Sequence, residues 1–161
     1  MYARTYRVGL VLVAFAAALT LNTRVYAQAN AADAFIGKWQ LDRSQSTFSG
    51  AVPERRSMTF EKAGNMLQHT TETMQGEVVY KITYKFAVDG KDYPADVAMS
   101  VSTVSYKKLD ATTLERTGKY MGMVGETVTY KLSADGKSLT VDQNATQNGA
   151  NITSHQVFTK Q

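Results

Sequence analysis

The stretch Glu77-Val78-Val79-Tyr80-Lys81-Ile82-Thr83-Tyr84-Lys85-Phe86 puts Val78, Tyr80, Ile82, Tyr84 and Phe86 on one parity and Val79, Lys81, Thr83 and Lys85 on the other. Successive side chains of a strand point to opposite faces, so this segment reads as a strand with an apolar side turned inward and a polar side turned to water. The same alternation turns Met58 and Phe60 inward against Thr59 and Glu61, and Val128, Tyr130 and Leu132 inward against Thr127, Thr129 and Lys131. It continues through Leu139 and Val141 and ends with Ile152 and Phe158. Between the strands stand Ala63-Gly64-Asn65, Gln75-Gly76, Asp89-Gly90, Asp110-Ala111, Val124-Gly125, Asp135-Gly136 and Asn148-Gly149, residues that tolerate the backbone of tight turns. The pattern predicts an all-β domain, an antiparallel up-and-down meander closed into a β-barrel of about 8–10 strands, with an open β-sandwich as the alternative. Closure removes the exposed edges of an open sheet, which matters in a chain with no cysteine to form a disulfide.

Residues 1–27 read as a cleaved signal peptide: Arg4 and Arg7 lead, an apolar run from Val8 to Leu21 follows, and Val25-Tyr26-Ala27 is a small-x-small cleavage pattern. The apolar run is short for a membrane span, and no second one follows. These features imply a periplasmic or extracellular protein with no membrane span. Removing 27 of the 161 residues leaves 134, enough for one domain. It also removes three of the 18 basic residues and none of the 14 acidic ones, leaving 15 against 14 and a net charge of +1. That balance gives no reason to expect nucleic acid, and the pair Arg55-Arg56 reads as a solvated strand end. Residues 28–34 read as a flexible lead-in, and 35–161 as the barrel.

Tyr84 to Lys91 and Tyr130 to Lys137 share Tyr, Lys, Asp, Gly and Lys at the same spacing, which reads as one hairpin type used twice. Pro53 and Pro94 fall before or between strands, where a missing donor costs the ladder nothing.

The opening segment Phe35-Ile36-Gly37-Lys38-Trp39-Gln40-Leu41 carries the only tryptophan and resembles the first barrel strand of the calycins, the lipocalins and fatty-acid-binding proteins, with their Gly-x-Trp core. His155-Gln156-Val157-Phe158-Thr159-Lys160 is similar to the closing strand of the fatty-acid-binding proteins, in which an Arg-x-Tyr pair holds a lipid carboxylate. Those two positions are Gln156 and Phe158 here, so the charged anchor is absent. The link from Leu41 to Arg55 is too short for that family's helical lid. The export signal and the Gly-Lys-Trp and Asp-Gly-Lys-Asp-Tyr-Pro segments most resemble small exported bacterial lipocalin-like proteins. The resemblance implies a barrel with structural roles for Gly37 and Trp39, the latter at its closed end.

No nucleophile elbow, phosphate loop, zinc-protease helix or paired-carboxylate pattern is present, so no catalytic residue is expected. Neither a metal site nor a cofactor is expected. The two histidines, His69 and His155, read as structural or solvent-facing, and would share a metal only if their strands met side by side. Asn144-Ala145-Thr146 and Asn151-Ile152-Thr153 match a glycan acceptor pattern that also arises by chance. Met58, Met66, Met74, Met99, Met121 and Met123 would line a pocket or fill a core.

The inward parity collects Phe60, Tyr80, Tyr84, Tyr120, Tyr130 and Phe158, with Gln156 and with Arg116 beside Leu114. Buried hydroxyls and an inward arginine need partners, which a filled cavity supplies, unless the tyrosine tips and Arg116 sit at a wet rim. These eight residues are the expected lining of a site for a small apolar or amphipathic ligand in a non-catalytic binding protein. Arg116 is expected to hold an acidic group, so that Arg116→Met weakens an acidic ligand with little loss of stability. The alternative is a periplasmic barrel acting through its outer surface, as protease inhibitors of similar shape do; a protein partner is otherwise unknown.

Overall fold

In a computed structural model, residues 32–97, 100–147 and 149–161 are described. The signal sequence expected over 1–27 lies outside them, as does most of the lead-in. Of that lead-in, Ala32 is fully buried and Asp33 opens a single 3-10 turn, Asp33–Phe35, whose Phe35 is buried in the barrel core.

Ten antiparallel strands follow: β1 (Gly37–Phe48), β2 (Arg55–Ala63), β3 (Met66–Gln75), β4 (Val78–Phe86), β5 (Tyr93–Val97), β6 (Ser100–Lys108), β7 (Thr113–Tyr120), β8 (Met123–Leu132), β9 (Ser138–Gln147) and β10 (Ala150–Lys160). They form one sheet in the order β4-β3-β2-β1-β10-β9-β8-β7-β6-β5, an up-and-down meander whose first strand also pairs with its last. The single sheet curls until its two edges, β4 and β5, come together, so the molecule is a nearly closed barrel and not a sandwich.

One end is plugged. Phe35, Trp39, Phe60, Phe86, Tyr106, Leu114, Leu139 and Phe158 are buried there in one core, and the Trp39 indole N–H donates to the Phe35 carbonyl at 2.9 Å. Gly37 has φ +141°, a backbone conformation that calls for glycine; a Cβ there would also displace the flexible end of Lys160. The Lys160 ammonium lies over the Trp39 ring, with Nζ 5.1 Å from its centroid. At the opposite end the β1–β2 link is a short irregular segment with no helical lid.

The β4–β5 seam carries no ladder. It is bridged by β6, where Tyr106 stacks on Phe86 with centroids 3.7 Å apart and its carbonyl accepts the Gly90 N–H at 2.9 Å.

Several expectations are corrected. The β7–β8 turn is Met121-Gly122, not Val124-Gly125, which lies inside β8. Tyr80 and Tyr120 keep the inward parity, yet they are 56% and 49% exposed, because each stands at the open end of its strand beyond the enclosed part of the barrel. With Val78, Val79, Met121, Met123 and Val124 they form an exposed apolar rim, so these methionines neither line a pocket nor fill a core. In the duplicated motif, Asp89 accepts from the Lys91 N–H and Asp135 from the Lys137 N–H, both at 3.0 Å, but only the second turn closes a hairpin. Pro94 lies within β5, an edge strand, where its missing donor is tolerated.

Candidate functional site

Above the aromatic plug the barrel holds a half-open cavity of about 270 Å³. Its apolar wall is Met58 of β2, Ile82 of β4, Val128 of β8 and Val141 of β9. The rest of the lining is polar, because the inward parity of β2, β3, β7, β8, β9 and β10 turns hydrophilic past the plug: Arg56 after Met58, Thr71 and Thr73 after His69, Glu126 after Val128, Gln143 after Val141.

These groups join into a belt. Arg56 donates from a terminal nitrogen to Gln156 Oε1 at 2.8 Å, and Gln156 Nε2 donates to Ser154 Oγ at 2.8 Å. Ser154 donates to Gln143 Oε1 at 3.3 Å, and Gln143 Nε2 to Glu126 Oε2 at 2.9 Å. Glu126 Oε1 takes the Arg116 guanidinium at 2.6 Å, and Arg116 also donates to the Tyr84 hydroxyl at 3.0 Å. A guanidinium can only donate and a carboxylate only accept, so the two ends dictate the direction of every bond between Arg56 and Glu126. Beyond Tyr84 the His69 ring meets the Tyr84 and Tyr106 hydroxyls at Nδ1, 2.8 and 2.9 Å away, and Thr71 Oγ1 at Nε2, 3.1 Å away. Arg56 Nε reaches Thr73 Oγ1 at 3.0 Å on the same strand as Thr71. The belt touches every strand except β1 and β5.

The charge state follows from the surroundings. Burial, reinforced by nearby Arg116, lowers the His69 pKa to about 3, so the imidazole is neutral at physiological pH. Burial raises the Tyr106 and Tyr130 hydroxyls above their ordinary range, so they too are neutral. Burial works against the Arg116 charge, but the oxygens of Tyr130, Tyr84 and Glu126 outweigh it and hold the guanidinium protonated. Arg56 is lowered by burial yet remains a cation. The belt therefore holds two cations and one anion.

Among the residues expected at the site, Arg116, Tyr84, Tyr130 and Gln156 line the cavity. Phe60 and Phe158 lie in the buried plug, with Phe60 stacked on His69 at 4.3 Å. Tyr80 and Tyr120 are on the exposed rim. Arg56 is not a solvated strand end: only Arg55 is exposed, while Arg56 turns inward. Its parity with Met58 and Phe60 was the available signal. His69 is likewise buried, at 2% exposed, while His155 faces outward and pairs with Asp142 at 2.6 Å. The two histidines do not meet, and no cluster of three metal-ligating side chains occurs among the described residues. A wider depression of about 750 Å³ crosses the outer face of β1 to β4, but it is open and walled by solvent-facing charges such as the Glu72–Lys81 pair at 2.8 Å.

No protein-family sequence profile matches the chain, and no curated protein matches it. Solved structures do. The zebrafish ileal bile acid-binding protein complexed with cholic acid superposes with a TM-score of 0.54 at 16% identity, over 80% of this chain and 100% of that one. The Schistosoma mansoni fatty acid binding protein in complex with arachidonic acid gives 0.52 at 15%, over 81% and 98%. The extracellular fatty acid binding protein As-p18 gives 0.52 at 15%, over 80% and 97%. The chain has the ten-stranded antiparallel barrel fold seen in these fatty acid and bile acid binding proteins.

Proposed function

We propose that this is a non-catalytic binding protein that holds a small, mainly apolar molecule inside its barrel and works outside the cytoplasm after loss of residues 1–27. The observation that carries this reading is the cavity of about 270 Å³, partly walled by Met58, Ile82, Val128 and Val141, in a barrel with no helical lid among the described residues. Ligand sites usually run from about 300 to 1,000 Å³, and an engineered cavity of about 150 Å³ holds benzene, so one substituted ring or a short acyl chain fits. The solved relatives were seen with cholic and arachidonic acids, which are larger. This cavity suits a smaller guest.

Native mass spectrometry of protein recovered from the envelope or medium tests both halves. The expected result is a mature chain starting near Gln28 that carries one small co-purifying molecule, and one-to-one binding of substituted benzenes to the emptied protein. A chain retaining Met1 would remove the export reading. An interior that takes up no small apolar probe would remove the binding reading.

A second reading has one observation in its favour. The exposed apolar rim, with Tyr80, Met121 and Met123 at 56%, 70% and 68% exposure, is a surface that a protein partner could cover. A stable partner captured from envelope extract while the barrel stays empty would favour it.

A further inference from the structure

We infer that the cavity is built to receive a compact monoanion, an aromatic or short-chain carboxylate, whose charge is met by Arg56 on β2. This rests on the binding reading above and adds the chemical class of the guest. The belt has two guanidinium groups and a single carboxylate, and the carboxylate is already committed. Glu126 gives one oxygen to Arg116 at 2.6 Å and the other to Gln143 at 2.9 Å. Arg56 takes part in none of the ion pairs formed among the described residues; its hydrogen bonds go to neutral Gln156 and Thr73. Those bonds use two of its five N–H donors and leave the others without a protein partner among the described residues, on a half-buried side chain that lines the cavity. A half-buried cation without a counter-charge is costly, and a bound anion removes that cost by charge-assisted bonds. Arg116 adds a second unmet demand: its Nε is buried with no hydrogen-bond partner. The directed chain from Arg56 to Glu126 fixes the Gln156 amide with its oxygen toward Arg56, so the glutamine orients the guanidinium. The apolar wall limits the rest of the guest to a short hydrocarbon body.

Isothermal titration of the purified protein with benzoate and phenylacetate, each against its neutral amide, tests the inference. The acids are expected to bind at least about tenfold more tightly than the amides, the equivalent of one charge-assisted contact. In Arg56→Gln the acids should lose that advantage over the amides; Arg56→Lys should keep part of it. The acid-to-amide comparison in the unaltered protein needs no variant, so it stands even if Arg56→Gln fails to fold. Equal binding of acid and amide, or a preference that survives in a folded Arg56→Gln, overturns the inference and leaves the binding reading intact. Failure of all four probes to bind overturns both.

Discussion

His69 shows how one buried side chain ties the site to stability. At 2% exposure, with both ring nitrogens engaged, it is buried where a second positive charge is poorly solvated. Its pKa is about 3 in the fold against 6.5 ordinarily, so on acidification the unfolded chain takes up the proton first. Its contribution is therefore full above about pH 6.5 and declines toward pH 3, by at most about 1.4 kcal/mol per unit. Urea midpoints at pH 7, 6 and 5 should fall in the parent and stay flatter in His69→Gln; parallel declines would mean that the imidazole is charged in the fold. Arg116 behaves differently from expectation. It turns inward, but it is one half of an ion pair, so Arg116→Met strands Glu126 and should cost about 3 kcal/mol where little loss was expected. Adding Glu126→Gln should recover part of that loss in the same denaturation assay, and no recovery would mean that the pair is not coupled. The parity of Arg56 with Met58 and of His69 with Leu67 was legible in the sequence. Their charged and polar neighbours, Arg55 and Glu72, masked it, because composition alone makes such segments look solvated.

At the scale of the element, the strands were readable wherever one face is fully buried. Val128, Tyr130 and Leu132 alternate with threonine and lysine because a slip of one residue would turn the whole apolar set to water. The turns were readable wherever glycine, asparagine or aspartate marked them. The exception is β7–β8, where Met121 has φ +49° and Gly122 φ +80°, the conformation of a two-residue turn that favours Asn-Gly. Nothing in a methionine signals a left-handed residue, so the next glycine along, Gly125, drew the assignment. Strain at a non-glycine residue in this region costs about 1 kcal/mol or more, and the side chain is 70% exposed, so packing does not offset it. Met121→Asn should raise stability by about 1 kcal/mol and shift the urea midpoint upward. An unchanged or lower midpoint would show that the methionine makes a stabilising contact that the fold does not reveal.

For the whole molecule, alternation tells which side of a strand faces in, but not which strands face one another across the interior. Gln156 meets Arg56 from a hundred residues away, a contact set by the β1–β10 closure and by no local pattern. The barrel is weakest elsewhere, at the β4–β5 seam, where the two edge strands share no ladder and depend on side chains to hold them together. Tyr106 is the clasp: its ring lies on Phe86 at 3.7 Å and its hydroxyl reaches both Tyr84 and His69 at 2.9 Å. Tyr106→Phe keeps the stacking and removes only the hydroxyl, a loss of about 1 kcal/mol that should fall on local opening of the seam. Amide hydrogen exchange should then quicken about fivefold in β4 and β5, while β1 and β10, each paired on both sides, keep their protection. Uniform acceleration across all ten strands would instead place the hydroxyl's contribution in global stability, and no change would show that stacking alone closes the barrel.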